Sequence, residues 1–188
     1  MRLDHIVWGV GDLDAAQARV ERELGLPVEP GGSHVGQGTH NRIVPLRGAY
    51  LELLAIRDRE EAAASPVGAL LLERIEAGDG FVAWACRVDD VDATAQRLGT
   101  ELYTVRRGTR VGYLTGVQEA LREPCLPFFG RSDRPPPAGE AELTWLEVAG
   151  DRARIEAWLG PDHGLPLRIV DGAPALRAIG IGARTFSG

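Results

Sequence analysis

Arg2-Leu3-Asp4-His5-Ile6-Val7-Trp8-Gly9-Val10, followed at once by Gly11-Asp12-Leu13-Asp14-Ala15-Ala16, reads as a strand that stops at a glycine and restarts as a helix. Asp12 is placed to cap that helix, because a carboxylate accepts the free amides of a first helical turn. Leu13, Ala16, Val20 and Leu24 then fall at helical spacing and form one apolar stripe. Beyond it, the pattern predicts a strand over 26–29, a glycine-rich loop over 31–38, and a hairpin of 41–46 with 49–56 turning at Arg47-Gly48. The first 56 residues are therefore a βαβββ module.

The same aspartate-opened unit recurs at Asp90 and Asp151. Eight residues after each aspartate come Val20, Leu98 and Leu159, and two before come Val10, Val88 and Ala149. This spacing divides the chain into a first module (1–56), a helical connector (57–80) opened by Ser65-Pro66, and a second βαβββ-like module (81–132). A Pro-rich connector and a third, shorter βαββ unit follow (133–188), all in one body. The fold class is α+β.

Side chains alternate along a strand, so each opening strand has two faces. One carries Ile6, Trp8 and Val10, then Trp84 and Cys86, then Trp145; the other carries His5, Val7 and Gly9, then Ala83, Ala85 and Arg87, then Thr144, Leu146 and Val148. The first face has the bulk to lie under helices, and the small residues of the second leave room for a cavity. Glu52 shares a strand face with Tyr50, Leu54 and Ile56. A carboxylate in so apolar a strand needs a positive partner, either an arginine or a metal ion shared with a histidine.

Composition excludes several chemistries. The 188 residues carry a net charge of −6, which gives no electrostatic case for binding nucleic acid. All 21 basic residues are arginine; without lysine there is no Schiff base, no pyridoxal phosphate anchor and no Walker A loop. Gly36-Gln37-Gly38 lacks the third glycine of a dinucleotide fingerprint, so no nucleotide is expected. No apolar run is long enough for a membrane span, and the opening residues lack a signal-peptide core, which points to the cytoplasm. Cys86 and Cys125 lack CxxC spacing and read as buried, reduced packing residues.

Leu3-Asp4-His5-Ile6-Val7, Asp12-Leu13-Asp14, Gly38-Thr39-His40-Asn41 and Tyr50-Leu51-Glu52-Leu53, with Pro127-Phe128-Phe129 and Leu146-Glu147-Val148, resemble the glyoxalase-like branch of the vicinal oxygen chelate superfamily. The resemblance implies βαβββ modules forming a curved mixed sheet or half-barrel around a cleft, helices on the outer face, and a homodimer. It also implies metal ligands on the first and fourth strands of paired modules, which His5 and Glu52 match. Ala83 and Thr144 stand where further histidines would be, and Arg177 aligns opposite Glu52.

Two completions follow. His40 joins His5 and Glu52 as ligands of Fe, Mn, Ni or Zn, with Glu52 and His40 as the catalytic groups and Asn41, Tyr50 and Arg177 binding substrate. Alternatively, Arg177 neutralises Glu52 or holds an anionic ligand and no metal is used. The first gives a metal-dependent isomerase, lyase or dioxygenase acting on a small oxygenated substrate; the second gives a metal-free sequestering protein of the bleomycin-resistance type. A structural domain that pairs with copies of itself is a third reading. His34 and His163 rank below His40 as site candidates, and the arginine cluster at 106–110 reads as a solvated hairpin turn.

Overall fold

A computed structural model describes residues 1–107, 110–132, 137–161 and 163–188. The tip of the turn expected within 106–110, and residues 134–136 of the Pro-rich connector, lie outside that description. The first module comprises β1 (Arg2–Gly9), α1 (Leu13–Leu24), β2 (Glu29–His34), β3 (Thr39–Pro45) and β4 (Tyr50–Ile56). Helices α2 (Arg59–Ala63) and α3 (Pro66–Glu76) lead to β5 (Gly80–Arg87), α4 (Val91–Leu98), β6 (Leu102–Arg107), β7 (Arg110–Thr115), α5 (Val117–Arg122) and β8 (Phe128–Ser132). The chain closes with β9 (Leu143–Ala149), α6 (Arg152–Leu159), β10 (Leu167–Val170), β11 (Ala175–Ile181) and β12 (Arg184–Ser187).

The three aspartates cap their helices as their spacing requires. Asp12 accepts from the amides of Asp14 and Ala15, Asp90 from Ala93, and Asp151 from Ala153 and Arg154. The helix α1 stops at Gly25, whose φ of 64° is the left-handed conformation that glycine tolerates best.

The first two modules merge into one curled eight-stranded half-barrel, in the order β2-β3-β4-β1-β5-β8-β7-β6. Antiparallel pairing of β1 with β5 is the seam, while β4 runs parallel to β1 on its other side. The third unit forms a separate sheet, β10-β9-β11-β12. Its last strand exceeds the two expected after α6: Phe186 of β12 is buried and packs edge-on against Trp8, with the Arg19 guanidinium over both rings.

The face of Trp8 and Trp84 is the main core, and on β9 it is Leu146 and Val148 that enter it, not Trp145 as the alternation predicts. Ile6, Trp8, Leu51, Leu53, Trp84 and Cys86 bury against α1 and against Leu146, Val148, Ile179 and Ile181 of the second sheet. The opposite, inner face is partly filled. Leu71 and Ile75 of α3 and Val117, Ala120 and Leu121 of α5 cover Val7, Leu54, Ala83, Ala85 and Phe128. Arg74 ties these two helices together by donating to the carbonyls of Leu121 and Arg122. Burying a side chain of leucine or isoleucine size contributes about 1.5–3 kcal/mol, so this plug is a stable part of the fold. The room expected above this face is taken up by that packing over Val7, Ala83 and Ala85.

The segment expected as a loop over 31–38 is the main departure in the first module. Residues 31–34 belong to β2, which pairs with β3 through Pro30↔Arg42, a bulge, and then Ser33↔His40 and His34↔Thr39. A Cβ at Gly31 would collide with the backbone and side-chain oxygens of Asn41, so the glycine permits close strand approach here rather than marking a loop.

Candidate functional site

In the parallel β1–β4 pair, His5 lies beside Tyr50 and Val7 beside Glu52, which sends His5, Tyr50 and Glu52 to the same inner face. Glu52 is 6% exposed, with Asn41 (5%) and Thr39 (0%) from β3 beside it. The Asn41 side-chain amide donates to Oε1 of Glu52, while its own oxygen accepts the Gly32 amide at 2.7 Å. Asn41 thus links the β2 bulge to the carboxylate and fixes its plane.

Two imidazoles flank this carboxylate. His5 Nε2 lies 3.8 Å from Oε2, and His34 Nε2 lies 3.6 Å from Oε1. The other nitrogen of each ring is already engaged: His5 Nδ1 with Asp4 Oδ1 at 2.8 Å, and His34 Nδ1 with Thr39 Oγ1 at 2.9 Å. Tyr50 stacks on His5 with centroids 4.5 Å apart and planes 10° from parallel, and Phe128 meets the ring edge-on at 5.4 Å. Arg87 Nε donates to Asp4 Oδ2 at 2.6 Å. Burial alone would push the Asp4 carboxyl up, but the His5 hydrogen bond, the His5 charge and the Arg87 guanidinium together hold it down at about 2.

The expected site residues fall into two groups. His5, Glu52, Asn41 and Tyr50 come together. His40 does not join them: it alternates with Asn41 on β3 and shares the outer face with Arg42, which bonds Leu13, Asp14 and Gln17 of α1. There His40 lines an open groove of about 510 Å³ beside the start of α1. Arg177 is exposed on β11 in the second sheet, next to Gly172, and does not neutralise Glu52. His163 accepts the Leu165 amide in its own loop. His34, ranked low because its segment reads as a loop, takes the place expected for His40. Asp4 and Arg87 went unassigned, and their one sequence signal is opposite charge near paired ends of β1 and β5.

The donor types suit a first-row divalent ion: two imidazole nitrogens with their far sides engaged, and one carboxylate. Both His–Glu separations exceed hydrogen-bond range and are slightly wider than the roughly 3.0–3.4 Å between neighbouring ligands of an ion bound at ~2.1 Å. Among the described residues, no three His, Cys, Asp or Glu side chains are placed to hold a metal ion as they stand. Across the seam, Ala85 pairs with His5 and Ala83 with Val7, so β5 supplies wall and no donor. All three candidate donors belong to the first module.

The curled eight-stranded half-barrel, joined through β1 and β5, has the fold of the vicinal oxygen chelate superfamily, and this is the class of the protein. Within it, a family model described as glyoxalase-like domain matches residues 3–161, and the chain belongs to that family. Among solved structures, a hypothetical protein from Staphylococcus aureus superposes with a TM-score of 0.71 at 16% identity, over 96% of this chain and 90% of that one. Methylmalonyl-CoA epimerase from Mycobacterium tuberculosis gives 0.50 at 24% identity, over 69% and 85%. A Streptomyces coelicolor methylmalonyl-CoA epimerase variant in complex with 2-nitronate-propionyl-CoA gives 0.52 at 23%, over 73% and 99%. At these identities the likeness is one of fold. No curated protein matches the chain. Among the described residues, no helix is long and apolar enough to cross a membrane.

Proposed function

We propose that this glyoxalase-like protein is an enzyme that moves a proton on a small oxygenated substrate, in an isomerase- or lyase-type reaction, at the niche formed by His5, His34 and Glu52. The observation that supports this is the convergence of two imidazole Nε2 atoms on opposite oxygens of one buried carboxylate. Glu52 is the proton-moving group, held in orientation by Asn41 and shielded from bulk water. His5 and His34 stand within one bond's reach of a substrate oxygen lodged against the carboxylate, and either can exchange a proton with it. Tyr50 and Phe128 wall the niche and fix the plane of the His5 ring.

A divalent transition metal of the Fe, Mn, Ni or Zn type is the cofactor this donor set would take, with His5, His34 and Glu52 holding it. When bound, it would supply Lewis-acid polarisation of a substrate oxygen. A second reading, a metal-free protein that only sequesters its ligand, draws support from the donor-free wall of Ala83 and Ala85.

Elemental analysis of untagged protein purified without chelators separates the two. The proposal expects bound transition metal that is lost in His5→Ala and Glu52→Ala, reduced in His34→Ala and retained in His40→Ala. Protein free of metal, with a folded Glu52→Ala variant that binds small oxygenated acids as wild type does, overturns it in favour of sequestration.

A further inference from the structure

Asp4 occupies an unusual place in β1. The β1–β5 register runs Leu3↔Cys86 and then His5↔Ala85, so Asp4 is the extra residue of a β-bulge. Successive strand residues normally point to opposite faces, and a bulge is what allows neighbours to be re-aimed toward each other. Here it brings Asp4 Oδ1 to 2.8 Å from Nδ1 of the next residue, His5. The other oxygen, Oδ2, is clamped by Arg87 Nε at 2.6 Å from the end of β5. Both Asp4 and Arg87 are largely buried, with side chains 17% and 13% exposed.

We infer that Asp4 is a positioning residue: its bulge and its Arg87 clamp exist to keep the proton of His5 on Nδ1, so that Nε2 presents a lone pair into the niche. An ionised carboxylate only accepts hydrogen bonds, so the atom facing it must carry a hydrogen. Glu52 does not compete for that proton, because at 3.8 Å it lies beyond hydrogen-bond range of Nε2. The result is a ring fixed in tautomer by Asp4, in tilt by Tyr50 and in edge contact by Phe128, leaving one nitrogen for chemistry. A free neutral imidazole favours the other tautomer, so the arrangement is imposed by the fold. Arg87 offsets the negative charge that Asp4 would otherwise leave facing Glu52 across a single ring.

This inference rests on the proposed role of His5, yet it can fail independently of it. The experiment is nitrogen-15 NMR of the imidazole rings in metal-free protein at mildly alkaline pH, with His5 assigned by its loss in His5→Ala. Wild type should show a protonated, pyrrole-type Nδ1 and a pyridine-type Nε2 at His5. Asp4→Ala should lose that preference, and Asp4→Glu should restore part of it. A wild-type His5 protonated on Nε2, or an Asp4→Ala spectrum unchanged at His5, overturns the inference whatever the protein does. A companion titration with Co(II), followed by its absorption, should show Asp4→Ala binding roughly 10- to 100-fold more weakly than wild type, the usual cost of losing a carboxylate behind a ligating histidine. Absence of Co(II) binding by wild type counts against the proposed metal role and leaves the tautomer measurement to decide the role of Asp4.

Discussion

Replacing Asp4 with asparagine keeps the shape of the bulge and removes its charge, which makes acid stability a direct gauge of the Asp4–His5–Arg87 cluster. The carboxyl titrates at about 2 in the folded chain, against an ordinary value of 3.8. A depressed carboxylate pKa stabilises the fold at pH above the unfolded value, and the gain disappears as pH falls through the folded one. At 1.36 kcal/mol per unit, the shift corresponds to about 2 kcal/mol, present near neutrality, about half gone by pH 3 and mostly gone by pH 2. Urea denaturation of wild type and Asp4→Asn in parallel from about pH 7 to pH 3 reads the contribution of the cluster, because the titrating groups outside it are common to both. With an m-value of ~2 kcal/mol/M, the wild-type midpoint should exceed that of the variant by about 1 M near neutrality, and the lead should shrink by roughly half at pH 3. A lead that stays constant to within about 0.5 kcal/mol over that range would refute the reasoning, since an unperturbed carboxyl gives no pH-dependent difference.

Two further outcomes concern packing and burial. Gly31→Ala should cost about 1–3 kcal/mol, because the added methyl collides with Asn41 and must push β2 outward; an unchanged melting temperature would show that the bulge can absorb it. Burial pushes the thiols of both Cys86 and Cys125 up, so neither should react with a thiolate-directed reagent in the native protein, and both should react on unfolding. One rapid equivalent in native protein would contradict that.

How much of this was legible in the sequence depended on which signal was local. The aspartate caps at 12, 90 and 151 announce the repeat because capping is settled within four residues, and the structure has all three. Strand alternation separates the tryptophan core from the His5 face in the first two units and places Glu52 with Tyr50, but it inverts the third, where Leu146 and Val148 enter the core and Trp145 is only half-buried. What escaped was non-local. His34 is hidden by Gly31 and Gly32, which read as loop residues until the proximity of Asn41 explains them. Choosing His40 over His34 required the register of β2 against β3, and one step of register reverses which face a side chain occupies. The pairing of Arg177 with Glu52 presumed that the third unit would lie alongside the first in one sheet, whereas it builds its own. The filling of the inner face by α3 and α5 depends on helices whose apolar stripes say that they bury something without saying what.

The confinement of His5, His34 and Glu52 to the first module divides labour between the two halves of the sheet. The first half carries the candidate donors; the second meets them with Phe128 against the His5 ring and with Arg87, which grips Asp4 behind it. Substitutions in β5 and β8 can therefore tilt the His5 ring or loosen its neighbour while every candidate donor keeps its identity.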